Sequence, residues 1–222
     1  MFVFVITSSI NSLTSVIDAE TRYQDTFKTI ESVRKKVPNS IIILSESSPV
    51  KLSDEKLKIL SEKVDHLLVL SDKPEVKLLG TRFLQSPAEA TNLILTLEYI
   101  KNLNLTGIDR VFKLTGRGQL NDNFDISHYE KSDLTGKYVF KKRIQSWMHH
   151  SLSLFSTRCW SFCYSLLSEV QDKMPKIYDG CMSSGHDLEH ITFSEMDLNK
   201  LIEFEVVGFS CQISRTGEVE HD

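Results

Sequence analysis

The chain has 222 residues, of which 41% are hydrophobic and 25% charged, the balance of an ordinary globular protein with enough apolar surface to bury a substantial core. A formal net charge of −4 excludes a general nucleic-acid binder, and no apolar run approaches the ~20 residues of a membrane-spanning helix. The length suits one domain over 1–222.

The opening MFVFVI has neither a basic leader nor a small-residue cleavage pattern, so it reads as a first strand and not as a signal peptide. Residues 2–7 form that strand, which ends in a polar segment, 8–19. Such a strand end is where an α/β sheet binds ligands, and Thr7 and Ser8 stand there. Over 20–36, Tyr23, Phe27, Ile30 and Val33 recur at helical spacing and Pro38-Asn39 stops the helix. Residues 41–44 are a continuous apolar run closed by Ser45 and Glu46, the pattern of a strand covered on both faces. Leu52, Leu57, Leu60 and Val64 mark a helix over 52–64, and 66–70 is a third strand. After a basic, glycine-containing stretch (Lys77, Gly80, Arg82), Ser86 as cap and Pro87 in the first turn open a helix that runs to about residue 102.

The stretch RVFKLTGRGQLNDNFD, residues 110–125, gathers the most chemistry. A short strand (Val111, Phe112) leads through Lys113 into a turn on Gly116, Arg117 and Gly118, and out through Asn121, Asp122 and Asn123. The glycines allow close backbone approach to a ligand, Lys113 and Arg117 can neutralise phosphate, and Asp122 with its amide neighbours can hold a hard cation or sugar hydroxyls. That set suits a nucleoside diphosphate carrying a sugar; the alternative is a polar turn with solvated charges. Beyond 125 the reading is strands over 138–142 and 152–156, a helix over 159–170, a Gly/Ser loop over 180–185, a helix start at 186–191 and final strands over 204–208 and 210–213. Alternating strands and helices in this order predict an α/β fold with a mainly parallel sheet, with Thr7, Glu46, Lys113 and Arg117 near its carboxyl ends. Cys159, Cys163, Cys181 and Cys211 have neither CxxC spacing nor disulfide-scaffold density, which points to reduced, buried thiols in a cytoplasmic setting.

The order ITSS, TRYQDTFKTIESVRKKVPNSIIILSESS, FKLTGRGQLNDNFD, FSTRCWSF and EFEVVGFSCQISRTGEVEHD resembles small GT-A-type glycosyltransferases of bacterial surface-polysaccharide clusters and large phages, and covers most of the chain. Its most specific pieces are Arg22 and Thr26 at the start of the first helix and the Lys-x-Thr-Gly-Arg turn followed by Leu-Asn-Asp. The resemblance implies a Rossmann-like nucleotide-sugar domain that moves a hexose to an acceptor hydroxyl, with UDP-glucose as the default donor and a glycan or other hydroxyl compound as acceptor. A phage-encoded member would work in the host cytoplasm. Residues 1–125 would form the nucleotide-sugar half and 126–222 the acceptor half. Nucleotide-sugar contacts fall to Thr7, Ser8, Arg22, Glu46, Lys113, Gly116, Arg117 and Asn121.

The sequence departs from that family in its metal site. GT-A enzymes commonly hold manganese or magnesium through a DxD motif, and here the region offers Asn121-Asp122-Asn123. Either Asp122 works with a distant ligand such as His221, or Lys113, Arg117 and Arg22 replace the metal at the diphosphate. Asp187 and Glu189 are the candidate catalytic acids for the acceptor, although acids at a helix start also simply complement its dipole. Trp147 or Trp160 can stack on a sugar ring, but core packing is the commoner role for such aromatics.

The same segment, His186-Asp187-Leu188-Glu189-His190, matches HxxEH, which on a helix places two histidines on one face for zinc. A zinc hydrolase is therefore the competing reading. The short strand-rich remainder of the chain leaves little room for a third ligand, so zinc is not expected. A non-catalytic nucleotide-sugar-binding module is a third reading, because fold alone does not imply turnover.

Overall fold

The computed structural model describes residues 1–146, 152–212, 216 and 218–220. Its first strand, β1 (Phe2–Ser8), is buried along its whole length. Phe2, Phe4 and Ile6 enter one core cluster while Val3 and Val5 enter another on the opposite face. That two-sided burial is why the run reads as continuously apolar. Helix α1 (Ala19–Lys36) begins at Asp18, whose carboxylate accepts from the Thr21 N–H at 2.9 Å, and ends in Arg34, Lys35 and Lys36, where positive charge suits the helix dipole.

The chain continues through β2 (Ile41–Glu46), α2 (Asp54–Ser61), β3 (His66–Val69), α3 (Pro74–Thr81), α4 (Gln85–Asn102) and β4 (Arg110–Thr115). Strands β3, β2, β1 and β4 lie side by side in that order and all run parallel. The chain therefore lays strands outward on one side of β1, then crosses back to put β4 on its other side. In such a sheet the crevice at the carboxyl ends of the two central strands is open to a ligand.

After β5 (Gly118–Leu120) come β6 (Tyr138–Lys141), β7 (Ile144–Gln145), β8 (Ser153–Leu154), β9 (Cys159–Cys163), α5 (Leu167–Ser184), α6 (Leu188–Glu195), β10 (Leu201–Phe204), β11 (Phe209–Gln212) and β12 (Val219–Glu220). The main sheet has seven strands in the order β10-β6-β9-β4-β1-β2-β3, with β9 antiparallel to both β4 and β6. Strands β12, β11 and β5 form a small second sheet. Helix α1 covers one face of the main sheet, and α4, α5 and α6 cover the other. No described helix is long and apolar enough to cross a membrane.

Several expectations are corrected here. Residues 159–163 form a strand where a helix was expected, because Cys159, Trp160 and Phe162 are held between two neighbouring ladders; Trp160 stacks on Phe140 at 5.0 Å. The helix starts at Leu167 and runs through the expected Gly/Ser loop to Ser184, with Gly185 in the left-handed conformation ending it. Gly180 sits inside that helix because a Cβ there would lie 2.7 Å from Ile191 Cγ2 of α6. The basic stretch before α4 is itself a helix, α3, in which Gly80 packs against Pro49. Helix α4 has no side-chain cap, and Ser86 lies within its first turn. The strand expected at 204–208 lies earlier, at Leu201–Phe204.

Candidate functional site

A cavity of about 170 Å³ opens where β1 and β4 end. Its floor is built from local necessities of the backbone. The Gly116 N–H donates to Thr7 O at 2.8 Å, and Thr26 Oγ1 of α1 donates to Gly116 O at 3.2 Å, so strand end, turn and helix are pinned together. A Cβ at Gly116 would meet Ser8 Cβ at 3.0 Å and Thr7 O at 3.2 Å, which is why the turn needs glycine there. Gly118 serves packing and not a ligand: a Cβ there would overlap the Phe209 ring of β11, 2.0 Å from Cζ.

Thr7, Ser8, Arg22, Gly116 and Arg117, which the sequence assigns to the nucleotide sugar, all line the cavity. Arg22 is 7% exposed and donates Nε to Ser9 O at 2.8 Å, with a second, short bond from Nη2 to the same oxygen. Burial, and then the Arg117 charge beside it, pull its pKa down to about 10. Arg117 is positioned by an Nη1 bond to Gln212 O at 3.0 Å. The rest of the wall is rich in hydroxyls and amides, including Ser9, Ser12, Thr14, Gln85 and Asn92.

Other expected residues stand elsewhere. Glu46 is buried behind the wall, where it accepts from the hydroxyls of Ser8 and Ser48 and from the Ser48 N–H at 2.9 Å, and so shapes the loop after β1. Lys113 points to the α4 face of the sheet, 1% exposed, with its ammonium on the Glu89 carboxylate and on Thr157 O at 2.7 Å. It reaches the cavity only through Glu89, which lines it. Asn121 bonds Ser210 Oγ at 3.0 Å, and Asp122 pairs with Lys36 at 3.1 Å with its own side chain fully exposed. Because Thr26 touches Gly116 at one end of this contact and Lys36 touches Asp122 at the other, the chain after the turn travels about 15 Å along α1, at 1.5 Å per residue, away from the cavity. Trp147 and His221 lie outside the described residues, and Trp160 is in the core.

Asp187 and Glu189, the acids expected to serve an acceptor, form a second group. Asp187 caps α6, accepting from the His190 N–H at 3.2 Å and pairing with His190 Nδ1. Glu189 accepts from Thr157 Oγ1 at 3.0 Å; burial, then Glu89 and Asp187, push its carboxyl above the ordinary range. The same surroundings, burial foremost, push the Cys181 thiol up to about 12. Since α6 begins at Leu188, His186 stands before the helix; its ring still lies 5.8 Å from that of His190, whose Nδ1 pairs with Asp187. Among the described residues no cluster of three or more His, Cys, Asp or Glu side chains is arranged to hold a metal ion.

Glu89 is the residue that sequence reading missed. It was legible only as one of several polar residues in the first turns of a helix; what marks it is that the buried Lys113, on an apolar strand, must have a charged partner, and α4 supplies it.

No protein-family model and no curated protein sequence matches the chain. Solved structures do. A glycosyltransferase involved in glycosylation of the major capsid of PBCV-1 matches 92% of this chain and 81% of its own at 10% identity and TM-score 0.50. The galactosyltransferase LgtC, in complex with donor and acceptor sugar analogues, matches 90% and 72% at 10% identity and TM-score 0.53. Core-mannan synthase A from Aspergillus fumigatus, in a Mn/GDP form, matches 91% and 72% at 9% identity and TM-score 0.51. The fold is thus the GT-A type, a mainly parallel sheet with helices on both faces.

Proposed function

We propose that this chain is a glycosyltransferase that moves a hexose from a nucleoside diphosphate sugar, with UDP-glucose the first donor to try, to the hydroxyl of a glycan or similar acceptor. The observation that carries the reading is the cavity between the ends of β1 and β4, in a GT-A-type fold, with two guanidinium groups and a ring of hydroxyls on its wall. Every residue of that wall falls between positions 7 and 117, which supports a donor half over 1–125 and an acceptor half over 126–222 within one domain.

In the reaction, the bond between the anomeric carbon and the diphosphate oxygen breaks and its electron pair stays on the diphosphate. The acceptor oxygen bonds to that carbon and gives its proton to a carboxylate. Glu89, in the wall and oriented by Lys113, is placed to hold sugar hydroxyls and take part in that proton transfer, while Glu189 and Asp187 stand behind it on the acceptor side. Phosphates are the ligands of Arg22 and Arg117.

A panel of nucleotides and nucleotide sugars in a thermal-shift assay tests the reading. A ligand at 100 times its Kd stabilises the folded state by about 2.7 kcal/mol, an easily read rise in Tm. Absence of any shift with uridine, guanosine, adenosine, cytidine and thymidine diphosphates and their sugars would remove it.

A further inference from the structure

The charged side chains of the cavity wall, among the described residues, are Arg22, Arg117 and Glu89, and Glu89 is already paired with Lys113. Among the described residues, the wall contains no aspartate, histidine or cysteine. Manganese and magnesium are oxygen-seeking ions held near-octahedrally by one or two protein carboxylates together with substrate phosphates and waters. The one carboxylate of the described wall, Glu89, is already taken by the buried Lys113 ammonium, and Asp122 is carried away along α1. Among the described residues, those of the wall do not fit a divalent metal.

They do fit a polyanion. A guanidinium group has five N–H donors in a plane, matched to paired oxygens of phosphate. Arg22 spends two bonds on Ser9 O and Arg117 one on Gln212 O, so backbone carbonyls fix both groups while donors remain on each. The two positive groups stand close enough to repel, with Arg22 nearly buried; an anion between them relieves that repulsion.

We propose that Arg22 and Arg117 clamp the diphosphate of the donor directly and that this site works without a divalent cation. The inference rests on the nucleotide-sugar reading above, and deepens it by assigning the charge neutralisation to two side chains.

Titration calorimetry with UDP and GDP, each in buffer with EDTA and in buffer with manganese, tests it. The expected result is a Kd that differs by less than about twofold between the two buffers, and a Kd raised roughly 10- to 150-fold by Arg117→Gln in both, the loss of one charge-assisted contact. Arg117→Lys keeps charge without the fork and should fall between. Circular dichroism confirms that each variant is folded; an unfolded Arg117→Gln leaves Arg117→Lys and the EDTA comparison to decide. Binding that appears only with manganese overturns the inference and leaves the nucleotide-sugar reading standing, as does wild-type affinity in a folded Arg117→Gln. Binding of neither nucleotide in either buffer overturns both.

Discussion

Glu189 holds a half-buried carboxyl group whose pKa is raised by loss of solvent and by the charges of Glu89 and Asp187. Its folded pKa lies above its unfolded one, so the folded state binds the proton more tightly. The stability this contributes is full below the unfolded value and is lost as pH rises through the folded value. Glu189→Gln, which keeps the shape and can still accept from Thr157, should therefore raise Tm at pH 7–8 and lose that advantage near pH 4. Equal Tm differences at both pH values would show that the carboxyl is not perturbed. Glu89 differs because it faces the cavity. On the proposed function, replacing it with Gln removes the carboxylate of the cavity wall, and turnover should fall about 100-fold or more, the usual scale of a lost proton-transfer group, with UDP affinity nearly unchanged. A folded Glu89→Gln enzyme of parental kcat would remove Glu89 from the mechanism. This difference between two glutamates is invisible in sequence, since each is simply an acid in the first turns of a helix.

At the scale of elements, glycines fix how the pieces meet. Gly208, between β10 and β11, has φ +73° and would place a Cβ 2.2 Å from the Phe124 backbone nitrogen. Gly208→Ala combines a left-handed backbone penalty of ~1–2 kcal/mol with an overlap of ~1–3 kcal/mol, so urea unfolding should show a loss of about 2–5 kcal/mol. A loss below ~1 kcal/mol would mean that the β5–β11 sheet shifts freely, within the usual error of such measurements. Strands β1, β2 and β4 and helices α1 and α4 were readable from periodicity because both faces of the strands and one face of each helix are buried. Strand β9 was not: its five residues, CWSFC, carry too little periodicity, and its neighbours β4 and β6 lie far away in sequence. The glycine turn at Gly116 was readable as the end of a strand, but the direction of the chain after it was not. Tracking along α1 depends on Ser32 Oγ accepting from the Leu120 N–H and on Lys36 meeting Asp122, two tertiary bonds with no local signature.

For the whole molecule, the described cavity wall comes from one stretch of chain while the acids of α6 come from the other. Substitutions in the second group should then leave donor affinity alone. Asp187→Asn, which retains a good helix cap, and Glu189→Gln should each change UDP affinity by less than about twofold while lowering turnover, because a group acting chiefly in the transition state shows in kcat. A large loss of UDP affinity in either folded variant would contradict the division.

The position of β9 has a further consequence. Among the described residues it carries the only ladder between the parallel block β3-β2-β1-β4 and the pair β6-β10. Its amides bond to both neighbours, and it is buried except at Cys163. Backbone amides of β9 should exchange with solvent deuterium only when the whole sheet opens, together with those of β4, whereas β3 and β10, half-buried edge strands, exchange through local fraying. If β9 exchanged as fast as the edges, the two blocks would be opening independently along that seam.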